Sequence, residues 1–133
     1  MPRFVVLTHD HPTLHWDFML EKEAVLRTWR LAQPPTDAGP IAAEAITDHR
    51  LEYLDYEGPV SGNRGTVVAF DRGEYSLLED VGCVVEVELR GGRLQGRAVL
   101  KRVSETGHWE FRLTPDALPT AGRERPPPLG RGG

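Results

Sequence analysis

Residues 15–21 alternate between two kinds of side chain, and this alternation constrains the fold more than any other feature of the chain. A period of two with aromatic residues on one side is typical of a β-strand that buries one face. One face would carry His15, Asp17, Met19 and Glu21, and the other Trp16, Phe18 and Leu20. Long helical periodicity is absent from the remaining sequence, which has many turn residues. We therefore expect an all-β protein.

The same strand places His15 and Asp17 on one face, about 7 Å apart at Cα, because a strand rises roughly 3.4 Å per residue. A third candidate ligand, His9, lies six residues before His15, just beyond the apolar run at residues 4–7. Two neutral imidazoles and one carboxylate suit Mn, Fe or Zn and leave coordination positions open for substrate or water. The alternative for each histidine is a surface residue without a metal.

Short apolar segments separated by turn residues continue along the whole chain. Their number predicts a compact, closed or nearly closed antiparallel β-barrel of about eight strands with short loops. Residues 1–114 would form this domain, and residues 115–133 a disordered tail rich in Pro, Gly and Arg. The expected strands cover residues 3–7, 15–21, 25–31, 66–70, 75–78, 83–89, 96–103 and 108–113, with 41–47 as strand or short helical turn.

Composition excludes several classes of function. No apolar run approaches the ~20 residues that span a bilayer, so we expect a cytoplasmic protein without a membrane partner. The net charge of −4 argues against unspecific coating of nucleic acid. The single cysteine, Cys83, rules out an internal disulfide, and its apolar neighbours predict a buried structural thiol. The chain is expected to be a monomer.

Several motifs stand in order along residues 3–113 and resemble the 3'-phosphoesterase domain of bacterial DNA ligase D, in a free-standing form. The first is FVVL at residues 4–7 followed by His9 and Asp10, and the second is LHWDFMLE at 14–21. The others are Trp29, DHRLEYLDYEG at 48–58, GTVVAFDRG at 65–73, GGRLQGRAVL at 91–100 and Trp109.

The resemblance implies a β-barrel enzyme that binds a divalent metal, usually Mn²⁺, with Zn²⁺ or Co²⁺ as alternatives. Such an enzyme removes a terminal ribonucleoside from the 3' end of a primer-template and then the remaining 3'-phosphate. By position, the metal ligands would be His9, His15 and Asp17, and the catalytic pair His49 and Tyr53. A DNA repair ligase or polymerase would be a suitable partner.

Three positions depart from the family pattern by lacking a cation. Met19 stands where the family has an arginine that contacts phosphate, Gln33 where it has a lysine, and Ile41 where it often has an arginine. Because Met19 shares the ligand face of its strand, we expect it to face the substrate. Phosphate binding should then be weakened, above all for monoesters, unless substitutes reach the site, such as Arg50 or Arg64, or else Arg27 or Arg30.

Two other functions remain open on the sequence alone. The chain could be a non-catalytic, metal-stabilised module that binds nucleic acid or repair proteins, which the lost cations favour. It could also be a non-haem iron oxygenase, because His15, Asp17 and a distal His108 imitate the ligand triad of those enzymes.

Overall fold

The computed structural model describes residues 1–116, and almost all of its regular structure is β-strand. The first four strands are followed by a single-turn 3-10 helix, Leu51–Leu54, and by five further strands. The strands are β1 Arg3–His9, β2 His15–Lys22, β3 Val25–Leu31, β4 Ile41–Arg50, β5 Gly58–Pro59, β6 Thr66–Asp80, β7 Val84–Gly91, β8 Gln95–Arg102 and β9 His108–Pro115. The segment 41–47 is thus strand. Among the described residues, no helix has the length and apolar character to cross a membrane.

The strands close into an antiparallel barrel, which confirms the predicted fold. Neighbours around the ring run β1-β2-β3-β4-β9-β8-β7-β6, and β1 also pairs with β6 to complete it. The two-residue strand β5 attaches to the beginning of β6 outside this ring. Closure leaves no long unpaired edge in the ring, the usual solution for an all-β domain of this size.

The barrel interior is filled by a single apolar cluster to which every strand of the ring contributes. Phe18 lies against Phe111, with ring centroids 5.1 Å apart, and Trp29 meets Trp109 edge-on at 5.7 Å. Alternate residues of each strand point into this cluster, as the period-two pattern requires. Trp16, predicted on the same face, packs against its margin.

A second apolar cluster covers the outer face of β1, β2 and β3. The segment that follows β4 lies over this face and contributes Leu54 and, at its margin, Tyr53. Strand β2 is consequently buried on both faces, which corrects the expectation of one buried face. His15 and Asp17 are each 3% exposed and Met19 is 1% exposed. The polar face of β2 is therefore enclosed by protein.

Strand β6 corrects the predicted strands at 66–70 and 75–78, which are parts of one long strand. Its first half pairs with β1 and its second half with β7, and the pairing changes near Gly73. Asp71, expected in a turn, is buried and accepts hydrogen bonds from the backbone N–H groups of Gly92, Arg93 and Leu94 at 2.7–3.0 Å. It therefore supports the β7–β8 hairpin.

The structure also differs from the predictions just before β7 and at the end of β9. Cys83 is exposed, which makes the prediction of a buried thiol wrong. It lies in the bend between β6 and β7, just before β7 begins, so strand alternation does not apply to it. Strand β9 extends to Pro115, one residue beyond the predicted domain end. Of the predicted tail, residues 117–133 lie outside the described part of the chain.

Candidate metal centre and adjoining cavity

The β1–β2 hairpin brings the three predicted ligands together. His9 ends β1, His15 begins β2, and the two are directly paired across the strands. Asp17 follows two residues later on the same face of β2. The nearest ligand atoms of the three side chains all lie within 4.8 Å of one another. This group of residues could therefore hold one metal ion.

Hydrogen bonds to backbone carbonyls determine which nitrogen each histidine offers. His9 donates from Nε2 to the carbonyl of Arg64 at 2.8 Å, which leaves the lone pair on Nδ1. His15 donates from Nδ1 to the carbonyl of Thr13 at 2.8 Å, which leaves the lone pair on Nε2. Ligating histidines in metalloproteins usually donate their other N–H in this way, because the bond fixes both tautomer and ring orientation.

The free nitrogens converge on the carboxylate of Asp17. His9 Nδ1 lies 3.5 Å from Oδ2, and His15 Nε2 lies 3.2 Å from Oδ1. These atoms are close without the alignment of a hydrogen bond, and His15 Nε2 and Asp17 Oδ1 are both buried without a partner among the described residues. Buried polar atoms without partners are costly. A shared cation would satisfy both, so the donor set fits a divalent metal.

The charge environment of His15 agrees with this geometry. Burial acts to lower the pKa of His15, but the Asp17 carboxylate and the hydrogen bond to Thr13 outweigh it, so that the pKa is raised above 6.5. The positive charge of Arg30 acts in the opposite direction. His15 is therefore a site at which a positive charge, carried by a proton or by a metal, is favoured.

The loop between β1 and β2 is held against the beginning of β6. Asp10 Oδ1 accepts a hydrogen bond from the backbone N–H of Thr66 at 2.8 Å. Gly65 has a φ of +81°, and a side chain there would collide with Asp10 and with Cβ of His11. The Gly65-Thr66 motif therefore lets the two segments approach closely. The same approach places the Arg64 carbonyl against His9.

A cavity of about 560 Å³ opens beside the ligand cluster, and we call it the His49 cavity. His9, Asp17, His49 and Tyr53 all line it. His49 donates from Nδ1 to the carbonyl of Thr47 at 2.9 Å, so Nε2 is left to interact with a bound molecule. The rings of His49 and Tyr53 meet edge-on, with centroids 5.7 Å apart. The two residues come from β4 and the 3-10 helix, not from a single helical face.

The arginines named as substitutes differ in whether they reach this cavity. Arg30 and Arg64 both line it. Arg64 is exposed and binds Ser61 through Nε and Nη2, at 2.7 and 3.2 Å. Arg50 does not line it and instead forms an exposed ion pair with Glu52 at 3.1 Å. Arg27 lies elsewhere and pairs with Asp80 at 2.9 Å.

The three positions at which this chain lacks the family's cation also differ in whether they line the His49 cavity. Met19 lines the His49 cavity and also packs in the outer apolar cluster. Ile41 is 0% exposed inside the barrel, so a cation at that position would not face the ligands. Gln33 is exposed in the β3–β4 loop and does not line the cavity. Met19 is thus the departure that bears directly on the site.

His108, the third ligand of the oxygenase alternative, does not join the ligand cluster, which contains His9 instead. It is exposed on β9, and its Nδ1 lies 2.8 Å from Thr106 Oγ1. With His15 and Arg30 it lines a separate cavity of about 460 Å³, the His108 cavity. The arrangement therefore does not support that alternative.

Some contributors to the site carried no sequence signal. The carbonyl groups of Thr13 and Arg64 orient the two imidazoles, and a backbone carbonyl is present at every residue. Asp10 was part of a motif, but its partner Thr66 is 56 residues away. Such contacts become visible only when the paired strands are known.

Comparison with known proteins agrees with the geometry. The family model described as the DNA ligase D 3'-phosphoesterase domain matches residues 7–102. The multifunctional non-homologous end joining protein LigD of Pseudomonas aeruginosa is 33% identical over 115 residues, which cover 79% of this chain and 14% of the relative. The protein of the same name in Mycobacterium bovis is 33% identical over 111 residues, which cover 76% of this chain and 14% of the relative.

The chain thus corresponds to about a seventh of the length of these relatives, while their alignment covers most of its own length. The matched region contains Asp17, His49 and Tyr53, together with His9 and His15. By this match, the chain belongs to the family of DNA ligase D 3'-phosphoesterase domains.

Proposed function

We propose that this protein is a metal-dependent phosphoesterase that processes the 3' ends of nucleic acid during DNA repair. The observation that carries the proposal is that two residues of the ligand cluster, His9 and Asp17, line the same cavity as a histidine and a tyrosine. Family membership supports a phosphoester as the substrate class. The substrate would be a primer end in which a ribonucleoside follows the last phosphodiester.

His9, His15 and Asp17 would hold the divalent ion, with Mn²⁺ as the first candidate. When bound, such an ion polarises a phosphoryl oxygen and makes its bound water more acidic. The hydrogen bonds of both imidazoles to backbone carbonyls keep their two donor nitrogens in place before the ion binds. Preorganisation of this kind reduces the cost of binding.

His49 and Tyr53 would act on a phosphate bound in this cavity. The bond from His49 Nδ1 to Thr47 fixes the ring, so a proton held at Nε2 can pass to the leaving 5'-oxygen of the terminal ribonucleoside. The Tyr53 hydroxyl can donate to a non-bridging oxygen without adding charge. The half-buried position of both side chains leaves them accessible from the cavity.

The decisive experiment uses a 5'-labelled primer annealed to a template and ending in one ribonucleotide. Incubation with the protein and Mn²⁺ should first yield a strand shortened by one nucleoside with a 3'-phosphate, and then the 3'-hydroxyl strand. EDTA should stop both steps, and Zn²⁺ and Co²⁺ should be tested beside Mn²⁺. A primer that stays intact under all these conditions would contradict the proposal, and binding of that intact primer would identify a binding module instead.

A further inference from the structure

Arg30 is the cation of this chain whose surroundings point most directly to a ligand. It lies on β3, directly opposite Asp17 of β2 and Glu44 of β4. Directly opposed residues of neighbouring strands are about 5 Å apart and their side chains share a face. Arg30 is therefore in the same row as a metal ligand, on the outer face of the barrel wall.

Despite two acidic neighbours, Arg30 forms no ion pair in the described part of the chain. Within residues 1–116, its guanidinium has no carboxylate oxygen within 4.0 Å and takes part in no hydrogen bond. Its Nε is buried and lacks a partner. The other half-buried arginines each have one: Arg3 binds Asp55, Arg27 binds Asp80, and Arg72 binds the carbonyl of Leu54.

A half-buried cation without a partner is costly in free energy unless something else binds it. Arg30 lines both the His49 cavity and the His108 cavity, so an anion bound in either cavity would lie beside its side chain. Guanidinium groups bind phosphate through paired, charge-assisted hydrogen bonds. The Asp17 carboxylate next to it lies between the His9 and His15 rings and has no oxygen within 4.0 Å of the guanidinium.

We infer that Arg30 binds the 3'-terminal phosphate of a nucleic-acid strand, in place of the arginine that the family carries at the position of Met19. This inference rests on the proposed function for the identity of its ligand. Arg30 projects from β3 and Met19 from the adjacent strand β2, and both line the same cavity. On this inference, the guanidinium that binds phosphate in this cavity comes from β3 instead of β2.

Binding to a short single-stranded oligonucleotide with a 3'-phosphate, measured by fluorescence polarisation in EDTA, tests this inference without turnover. Arg30→Gln should weaken binding at least tenfold, and Arg30→Lys should recover part of the loss because it keeps the charge but not the paired donors. Arg27→Gln is the matched control, since Arg27 lies on the same strand and is engaged by Asp80. Its affinity should stay within twofold of the wild type.

An oligonucleotide with a 3'-hydroxyl separates the terminal phosphate from the backbone phosphates. Arg30→Gln should affect its binding less than twofold, and an equal loss for both oligonucleotides would overturn the inference. So would an Arg30→Gln protein that is folded by circular dichroism and binds the 3'-phosphate strand as Arg27→Gln does. A wild type that binds this strand through Arg30 but never hydrolyses it would refute the proposed function and leave the inference standing.

Discussion

Asp17 and Arg30 face each other directly across β2 and β3, yet they do not form an ion pair. The Asp17 carboxylate lies instead between His9 Nδ1 and His15 Nε2, at 3.5 and 3.2 Å. The barrel wall therefore presents a candidate metal-binding carboxylate beside a cation that has no partner within residues 1–116. A metal ion held by the ligand cluster and the guanidinium of Arg30 could bind the same phosphate group at the same time.

The first prediction concerns the metal. His15→Ala should abolish specific Mn²⁺ binding, because two remaining ligands hold a divalent ion only weakly. Isothermal titration calorimetry of the metal-free protein at pH 8 measures this directly. His49→Ala is the matched histidine variant and should keep its affinity within about threefold, because His49 is not in the ligand cluster. Unchanged affinity in His15→Ala would refute the assignment of the ligands.

The second prediction is a pH dependence of metal binding. The pKa of His15 is raised above 6.5, so a proton competes with the ion at Nε2 as the pH falls. Mn²⁺ affinity should be greatest near pH 8 and decline by up to about tenfold per unit as the pH drops through the raised pKa. The stability of the metal-free protein should have the opposite pH dependence. The protonated His15 stabilises the fold below pH 6.5, and that stabilisation is lost as the pH rises through the folded-state pKa.

Calorimetry at pH 8, 7 and 6 tests the first part, and urea denaturation of the metal-free protein over the same range tests the second. In the urea experiment, His15→Gln should remove the part of the pH dependence that His15 contributes, because its amide does not titrate. An affinity that is flat between pH 8 and pH 6 in the wild type would mean that His15 does not lose a proton when the ion binds.

The third prediction concerns His49. His49→Ala should lower the turnover of the ribonucleotide-ended primer by roughly 10²-fold, the usual contribution of a general acid or base. Metal binding should be retained. His108→Ala removes a histidine outside the His49 cavity and should leave turnover within about twofold. If His49→Ala lost metal affinity and rate together, His49 would be a ligand or a structural residue.

Much of this architecture could be predicted because it depends on local pattern. The alternation at residues 15–21 predicts both the strand and the shared face of His15 and Asp17, and pairing of β1 with β2 then brings His9 beside them. The same pattern missed the second buried face of β2, because the cover comes from a distant segment. The turn-like composition of residues 71–74 concealed a continuous strand, since pairing on both sides overrides local propensity.

Side-chain direction at cationic positions was harder to predict. The family pattern often has an arginine eight residues before the catalytic histidine, and this position corresponds to Ile41. Ile41 lies inside the barrel, because an irregularity in the β3–β4 pairing changes the register between Ile41 and His49. Arg30 and Arg50 could not be distinguished in the sequence, since both precede a leucine in a mixed segment. Only the strand register shows that Arg30 lies beside Asp17.

The last prediction is that an arginine at position 19 can take over the binding of phosphate when Arg30 is removed. The sequence alone predicts that Met19→Arg raises 3'-phosphate removal. Because Arg30 already lines the same cavity, we now expect less than a threefold gain in the wild-type background. In Arg30→Gln, Met19→Arg should recover most of the lost rate. Its stem can lie in the outer apolar cluster while the guanidinium reaches the cavity.

Steady-state removal of phosphate from a 3'-phosphate primer measures this, compared with ribonucleoside removal by the same proteins. Met19→Leu is the control, because it preserves the apolar contacts and adds no donor. A monoester carries more charge than a diester, so loss and recovery should both be larger for phosphate removal than for ribonucleoside removal. If folded Met19→Arg/Arg30→Gln stays as slow as Arg30→Gln, a guanidinium on β2 does not reach the phosphate, and the two positions are not interchangeable.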